Sequence, residues 1–122
     1  MKKAPVAHNQ TIGRWGEENA ARYLQEHGYE IVDKNARTPY GEIDLVARRD
    51  GGIVFVEVKT RTSRRFGLPE EAITPRKQVH MLAAAEHYAA DHGINSWQVD
   101  VLAIEGTPGK TPLIEHFENV LS

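Results

Sequence analysis

Residues 41–61 read GEIDLVARRDGGIVFVEVKTR, two apolar-rich arms on either side of Asp50-Gly51-Gly52. Glycine adopts positive φ cheaply and two-residue primed turns require it, so this stretch predicts a β-hairpin. Side chains alternate between faces along a strand. Glu42 and Asp44 therefore share one face of the first arm, and Glu57 and Lys59 share one face of the second. A loop of Asp50-Gly51 pairs Arg49 with Gly52, and by counting back pairs Asp44 with Glu57 and Glu42 with Lys59. A loop of Gly51-Gly52 pairs Asp44 with Lys59 and still keeps all four residues on one side. A three-residue loop would send Glu57 and Lys59 to the far side, so convergence needs an even-numbered loop.

Directly opposed Cβ atoms on neighbouring strands lie about 5 Å apart. Two partly buried carboxylates at that spacing repel by roughly 3 kcal/mol at an effective dielectric near 20. Glu42, Asp44, Glu57 and Lys59 together carry a formal charge of −2. A divalent cation would balance it, and oxygen ligands suit Mg²⁺ or Mn²⁺. The same spacing also admits a plain salt bridge from Lys59 to an acid on the polar face of a hairpin. Residues 53–58, IVFVEV, are apolar on both faces apart from Glu57, as an inner strand covered on both sides would be. Charges at the end of an inner strand are harder to desolvate than charges on an edge, which favours the functional reading.

The chain has 122 residues, the size of one domain, and no cysteine, which excludes disulfides and thiolate metal sites. No apolar run approaches the roughly 20 residues of a membrane helix. Met1-Lys2-Lys3 is not followed by a signal-peptide core, so the expected location is cytoplasmic. The net charge is −2, but it is unevenly spread. Residues 34–77 hold ten Lys or Arg against six Asp or Glu, whereas residues 78–122 hold one against six. Residues 59–65, KTRTSRR, carry four positive charges and no negative one. Such asymmetry fits a protein with one basic working side, and equally a solvated loop.

Outside the hairpin, residues 1–8 read as a loose tail and residues 10–27 as a helix closed by Gly28. Its apolar arc is Ile12, Gly16, Ala20, Tyr23 and Leu24; Glu17 borders that arc and Glu18 points away. Residues 29–37 read as a strand, and Thr38-Pro39-Tyr40-Gly41 as the turn into the hairpin. Residues 60–73 read as a long loop containing Arg61, Arg64 and Arg65. Thr74 caps a second helix with Pro75 in its first position, and Gly93 ends it. The expected apolar stripe of that helix is Val79, Leu82, Ala83, Ala89 and Ala90, with Gln78 at its edge and Lys77 in the first turn. Residues 97–104 read as an interior strand and 113–117 as a short edge strand after a turn at 106–112. The expectation is a single α/β domain over residues 1–122, a mixed central sheet flanked by helices in the order α-β-β-β-α-β-β.

The six histidines show no metal-ligand spacing: His80 and His87 share a helix without a third partner, and His8, His27, His92 and His116 are scattered. No glycine-rich phosphate loop or serine-nucleophile motif is present. The acidic hairpin is the remaining chemical candidate. Asp44 followed by Glu57-Val58-Lys59 resembles the D…(D/E)xK signature of restriction-endonuclease-like nucleases. The wider set is more specific: Gly16-Glu17, Ala21-x-Tyr23-Leu24, Gly28-Tyr29, Asn35-x-Arg37, 41–45 GEIDL, 55–61 FVEVKTR, Phe66-Gly67 and Lys77-Gln78 resemble the YraN-like family of bacterial proteins. That family is placed in the same nuclease superfamily and is similar to archaeal Holliday-junction resolvases.

The resemblance implies a restriction-endonuclease-like fold, with Asp44 and Glu57 as ligands of Mg²⁺ or Mn²⁺ beside the backbone carbonyl of Val58. It implies that Lys59 orients water and stabilises the charged phosphorane, that Glu17 completes the site from the first helix, and that Gln78 contacts water or phosphate. Glu42 is an extra acid that leaves the ligand set open. Arg61, Arg64, Arg65 and Lys77 would grip a nucleic-acid backbone without reading bases. The leading expectation is a metal-dependent endonuclease acting on DNA, branched or otherwise structured. The alternatives are a nucleic-acid-binding module of the same fold that cuts little by itself, and an adaptor whose acidic hairpin is structural. A homodimer would match a two-fold junction, and no feature of the sequence demands one.

Overall fold

A computed structural model describes residues 4–62 and 73–121, without the side chains of residues 4–10. Its elements are α1 (Ala4–Glu26), β1 (Glu30–Thr38), β2 (Gly41–Arg49), β3 (Gly52–Arg61), α2 (Pro75–Asp91), β4 (Trp97–Glu105) and β5 (Leu113–Phe117). The five strands form one sheet in chain order. Only β3 and β4 run parallel, and α2 is the crossover a parallel pair needs. This is the mixed sheet and element order expected of a restriction-endonuclease-like fold. No helix among the described residues is long and apolar enough to cross a membrane.

The hairpin turns on the Asp50-Gly51 loop. Asp50 has φ 52° and Gly51 φ 79°, and Arg49 pairs with Gly52, so the even-numbered register holds. β3 lies between β2 and β4 and is covered on both faces. Val54 and Val56 enter the core under α1 with Ala20, Leu24 and Leu102. Ile53 and Phe55 enter the core under α2 with Ala84, Ala85 and Tyr88.

Both helices end as local chemistry dictates. At the end of α1 the Tyr29 N–H donates to the Leu24 carbonyl at 2.9 Å, and Gly28 takes φ 89° between them. The same closure ends α2, where the Ile94 N–H donates to the Ala89 carbonyl at 2.8 Å and Gly93 has φ 65°. Thr74 caps the start of α2 by accepting the Lys77 N–H at 3.2 Å.

Three expectations are corrected. The helix α1 begins at Ala4, so residues 4–8 are helical rather than a loose tail. Arg61 is the last residue of β3, not part of a loop, because the parallel ladder continues as far as Arg61 opposite Glu105. The buried face of α2 is Ala84, Ala85, Tyr88 and Ala89. Of the expected stripe only Ala89 is buried, while Val79 and Leu82 face solvent at 64% and 40% exposure. Small alanines let the helix lie close to the sheet, and Tyr88 fixes its rotation. Its ring meets Phe55 edge-on at 5.5 Å and its hydroxyl donates to Asp33 at 3.1 Å.

Candidate active site

The β2–β3 ladder runs from Arg49–Gly52 to Leu45–Val56 and stops there, while β3 continues along β4. Where the ladder ends, the Asp44 side chain takes the place of a strand carbonyl: its Oδ2 accepts the Val58 N–H at 2.8 Å. The two arms of the hairpin thus part at their open end, and the chemistry-bearing residues sit in that gap. The counted pairings of Asp44 with Glu57 and of Glu42 with Lys59 are not made, because the register stops at Leu45–Val56. Glu42 instead lies opposite Arg37 on β1 and remains exposed.

Asp44 and Glu57 nonetheless share the site. Burial pushes the Asp44 carboxyl up to about 7, and the charge of Glu57 adds to it. The Val58 N–H works in the opposite direction, and Glu17 and Glu42 contribute smaller upward pushes. Lys59 Nζ lies 3.3 Å from Glu57 Oε2, with side chains 17% and 25% exposed. A half-buried pair of this kind holds its geometry better than a surface ion pair.

Glu17 arrives from α1. The helix can close on β3 here because Gly16 has no side chain, and a Cβ at that position would collide with the Thr60 side chain. Asn35, at φ 49°, donates to Glu17 Oε1 over a long 3.4 Å. Lys77 reaches the same place from α2. Contact with the Lys59 ammonium, and after it desolvation, lowers the Lys77 pKa. Two ammonium groups therefore crowd against the acid pair.

Glu17, Asp44, Glu57, Lys59 and Lys77 are thus brought together, with Val58 contributing its N–H. Gln78 is exposed, and its amide donates to the Ile73 carbonyl at 3.4 Å. Arg61 stands two residues beyond Lys59 at the end of β3. Arg64 and Arg65 lie outside the described residues. Sequence reasoning assigned no role to Asn35, Tyr40 or His80. The last two line a cavity of about 190 Å³ beside Glu57. His80 lies one helical turn from Lys77, and Tyr40 occupies the tip of the turn into β2, so the signals were present but had no partner in the sequence.

Among the described residues no three His, Asp or Glu side chains come together as a ready-made metal cage. A cation here would rest on Asp44 and Glu57, with water completing the shell. Mg²⁺ tolerates such a site because it keeps several waters. The donor set fits: two carboxylate side chains lie close together, and one of them has an elevated proton affinity for want of compensating charge.

The model of the family described as "Uncharacterised protein family UPF0102" matches residues 16–104. A UPF0102 protein of Syntrophomonas wolfei is 58% identical over 80 residues, covering 66% of this chain and 70% of its own. The fold is similar to that of SfsA of Pyrococcus furiosus, described in complex with Ca²⁺, with a TM-score of 0.52 and 12% identity. That match covers 87% of this chain and 63% of SfsA. A repair endonuclease from Pyrococcus abyssi gives a TM-score of 0.46 at 16% identity, over 89% of this chain and 42% of its own.

Proposed function

We propose that this chain, which belongs to the UPF0102 family, is a nuclease that hydrolyses phosphodiester bonds in DNA with a divalent cation, Mg²⁺ or Mn²⁺, held by Asp44 and Glu57. The observation that carries this reading is the open end of the hairpin. There Asp44, Glu57 and Lys59 converge, and the Asp44 carboxyl is pushed up to about 7. A fold neighbour described with Ca²⁺ is in keeping with a cation at such a site.

When bound, a divalent cation lowers the pKa of water and neutralises phosphate oxygens. The chain's own residues supply the rest. Lys59, held by Glu57, places a fixed ammonium against the negative charge that develops on the phosphorus oxygens. Lys77, in contact with Lys59, adds a second cation that positions the nucleic-acid backbone. Glu17 bounds the site from α1 and is held there by Asn35. Arg61 would extend the contact with the nucleic-acid backbone, and the sequence suggests the same role for Arg64 and Arg65.

Cleavage of linear duplex, flap, fork and four-way-junction DNA in Mg²⁺ or Mn²⁺ tests this. Wild-type protein should nick at least one substrate, and Asp44→Ala and Lys59→Ala should each abolish nicking while leaving the fold intact. Wild-type cleavage that survives either substitution would overturn the assignment.

The lack of a three-residue acid cage among the described residues favours a second reading: a nucleic-acid-binding module of this fold that cuts little alone. Under it, wild-type protein binds DNA and cleaves none of the panel, and both alanine variants bind equally well.

A further inference from the structure

The cavity beside Glu57 is not accounted for by phosphate chemistry. Its volume is about 190 Å³, below the roughly 300 Å³ at which drug-sized ligand pockets begin. At about 30 Å³ per water it has room for some six waters, the scale of one flat heteroaromatic ring system. Its floor is apolar and belongs to both layers, with Ile43, Phe55 and Val99 from the sheet and Met81 and Ala84 from α2. Tyr40, Lys77 and His80, all exposed, also line it and add aromatic and polar groups.

Tyr40 is an exposed aromatic residue, 54% accessible, yet it is held in place. The Thr38 hydroxyl accepts the Tyr40 N–H at 3.1 Å and donates to the Gly41 carbonyl at 2.7 Å, which fixes the turn. His87 meets the ring edge-on at 6.0 Å. An exposed aromatic ring lining a partly apolar slot suits a π-stacking ligand. Glu57 lines this cavity and also belongs to the acid pair, and Lys77 lines it while touching Lys59. The slot and the acid site thus share Glu57 and Lys77.

We infer that this cavity takes up one unpaired nucleobase of the strand engaged at the acid pair, stacked on Tyr40 and hydrogen-bonded at its edge by Lys77 and His80. The inference rests on the nuclease reading. It narrows the substrate class to strands with an unstacked nucleotide beside the scissile phosphate: single-stranded, bulged or branched. A continuous duplex would first have to surrender a base from its stack, at a cost of a few kcal/mol.

The test compares binding, in EDTA and low salt, of an oligodeoxynucleotide and a strand of equal length and charge in which the bases are replaced by abasic sites. The intact protein should prefer the base-bearing strand by about tenfold. Tyr40→Ala should remove that preference and leave affinity for the abasic strand unchanged, and Tyr40→Phe should retain it. Circular dichroism establishes that the variants fold. Equal affinity for both strands, or a preference that survives Tyr40→Ala, overturns the base pocket while metal-dependent cleavage still upholds the nuclease reading. Binding of neither strand overturns both.

Discussion

Replacing Asp44 by Asn should make the protein more stable, and the size of the gain follows from the site. A rise from 3.8 to about 7 corresponds to about 4 kcal/mol by which the ionised carboxylate is disfavoured in the folded state. Solvent relaxation around a partly accessible group reduces this, and about 2 kcal/mol is the expected net effect. Asparagine keeps an oxygen for the Val58 N–H and removes the charge facing Glu57. The sign follows from proton binding. Between about pH 4 and pH 7 the folded wild type binds more protons at Asp44 than the unfolded chain does, so its stability falls as pH rises through that window. Below it, variant and wild type should be similar, and above it the full difference is present. For a chain of 122 residues, unfolding entropy makes 1 kcal/mol worth about 4 °C, so Asp44→Asn should melt about 8 °C higher at pH 8 in EDTA. Adding Mg²⁺ should raise the wild-type melting temperature and leave the variant where it was. Thermal melts from pH 4 to pH 8, with EDTA and with Mg²⁺, measure all of this. An Asp44→Asn variant that is less stable at pH 8 in EDTA, or a difference that does not grow with pH, would show that Asp44 is not a strained carboxylate.

Gly16→Ala should cost about 1–3 kcal/mol in urea unfolding, because the methyl meets Thr60; adding Thr60→Ala should restore most of the loss if the collision is the cause. Asp100→Asn and His116→Gln should each destabilise by about 3–5 kcal/mol, since each leaves half of a buried bonded pair behind. Asp100 contributes its stability above about pH 4 and loses it as pH falls through its depressed folded-state value, so acid unfolding curves of wild type and the Asn variant should converge at low pH. Lys77→Ala should weaken DNA binding across sequences and reduce the slope of log affinity against log salt by about 1, as measured by anisotropy titrations.

What the sequence made legible was local. The even-numbered loop at Asp50-Gly51, the glycine closures at Gly28 and Gly93 and the Thr74-Pro75 start each depend on a few neighbouring residues. All five strands appear close to where apolar runs bounded by turn signals placed them. The face of α2 was not legible, because alanines and single apolar residues occur on every side of that helix. Its rotation is chosen by Tyr88 reaching Asp33 and Phe55, both far away in sequence. The same distance hid part of the site. Asp44 and Glu57 share a hairpin, so counting brings them together. Lys77 meets Lys59 only because the crossover brings the start of α2 back to β3, and Tyr40 and His80 line one cavity for the same reason. The parting of the hairpin arms was equally invisible, since counted pairs assume that the ladder continues.

Two aspartates in this sheet show how the open end of the hairpin differs from the rest of the fold. Asp100 is fully buried, a position that by itself disfavours its charge. Yet Gln98 and the Asn119 N–H each donate to its Oδ1 at 2.9 Å, and His116 lies 2.7 Å from its Oδ2, so its pKa ends below the ordinary value. His116 in turn contacts the Tyr23 hydroxyl at 3.1 Å, tying β4 and β5 to α1. Asp44 is less buried but has one backbone N–H in its favour and three acids against it. The chain can satisfy a buried carboxylate completely, and at Asp100 it does so for architecture. At Asp44 it leaves the carboxylate short of positive charge, beside a neighbour of like charge and two lysines that do not cancel the deficit. Local frustration inside an otherwise satisfied fold is in keeping with the proposed site. Under the proposed function a doubly charged cation would supply the positive charge that Asp44 lacks.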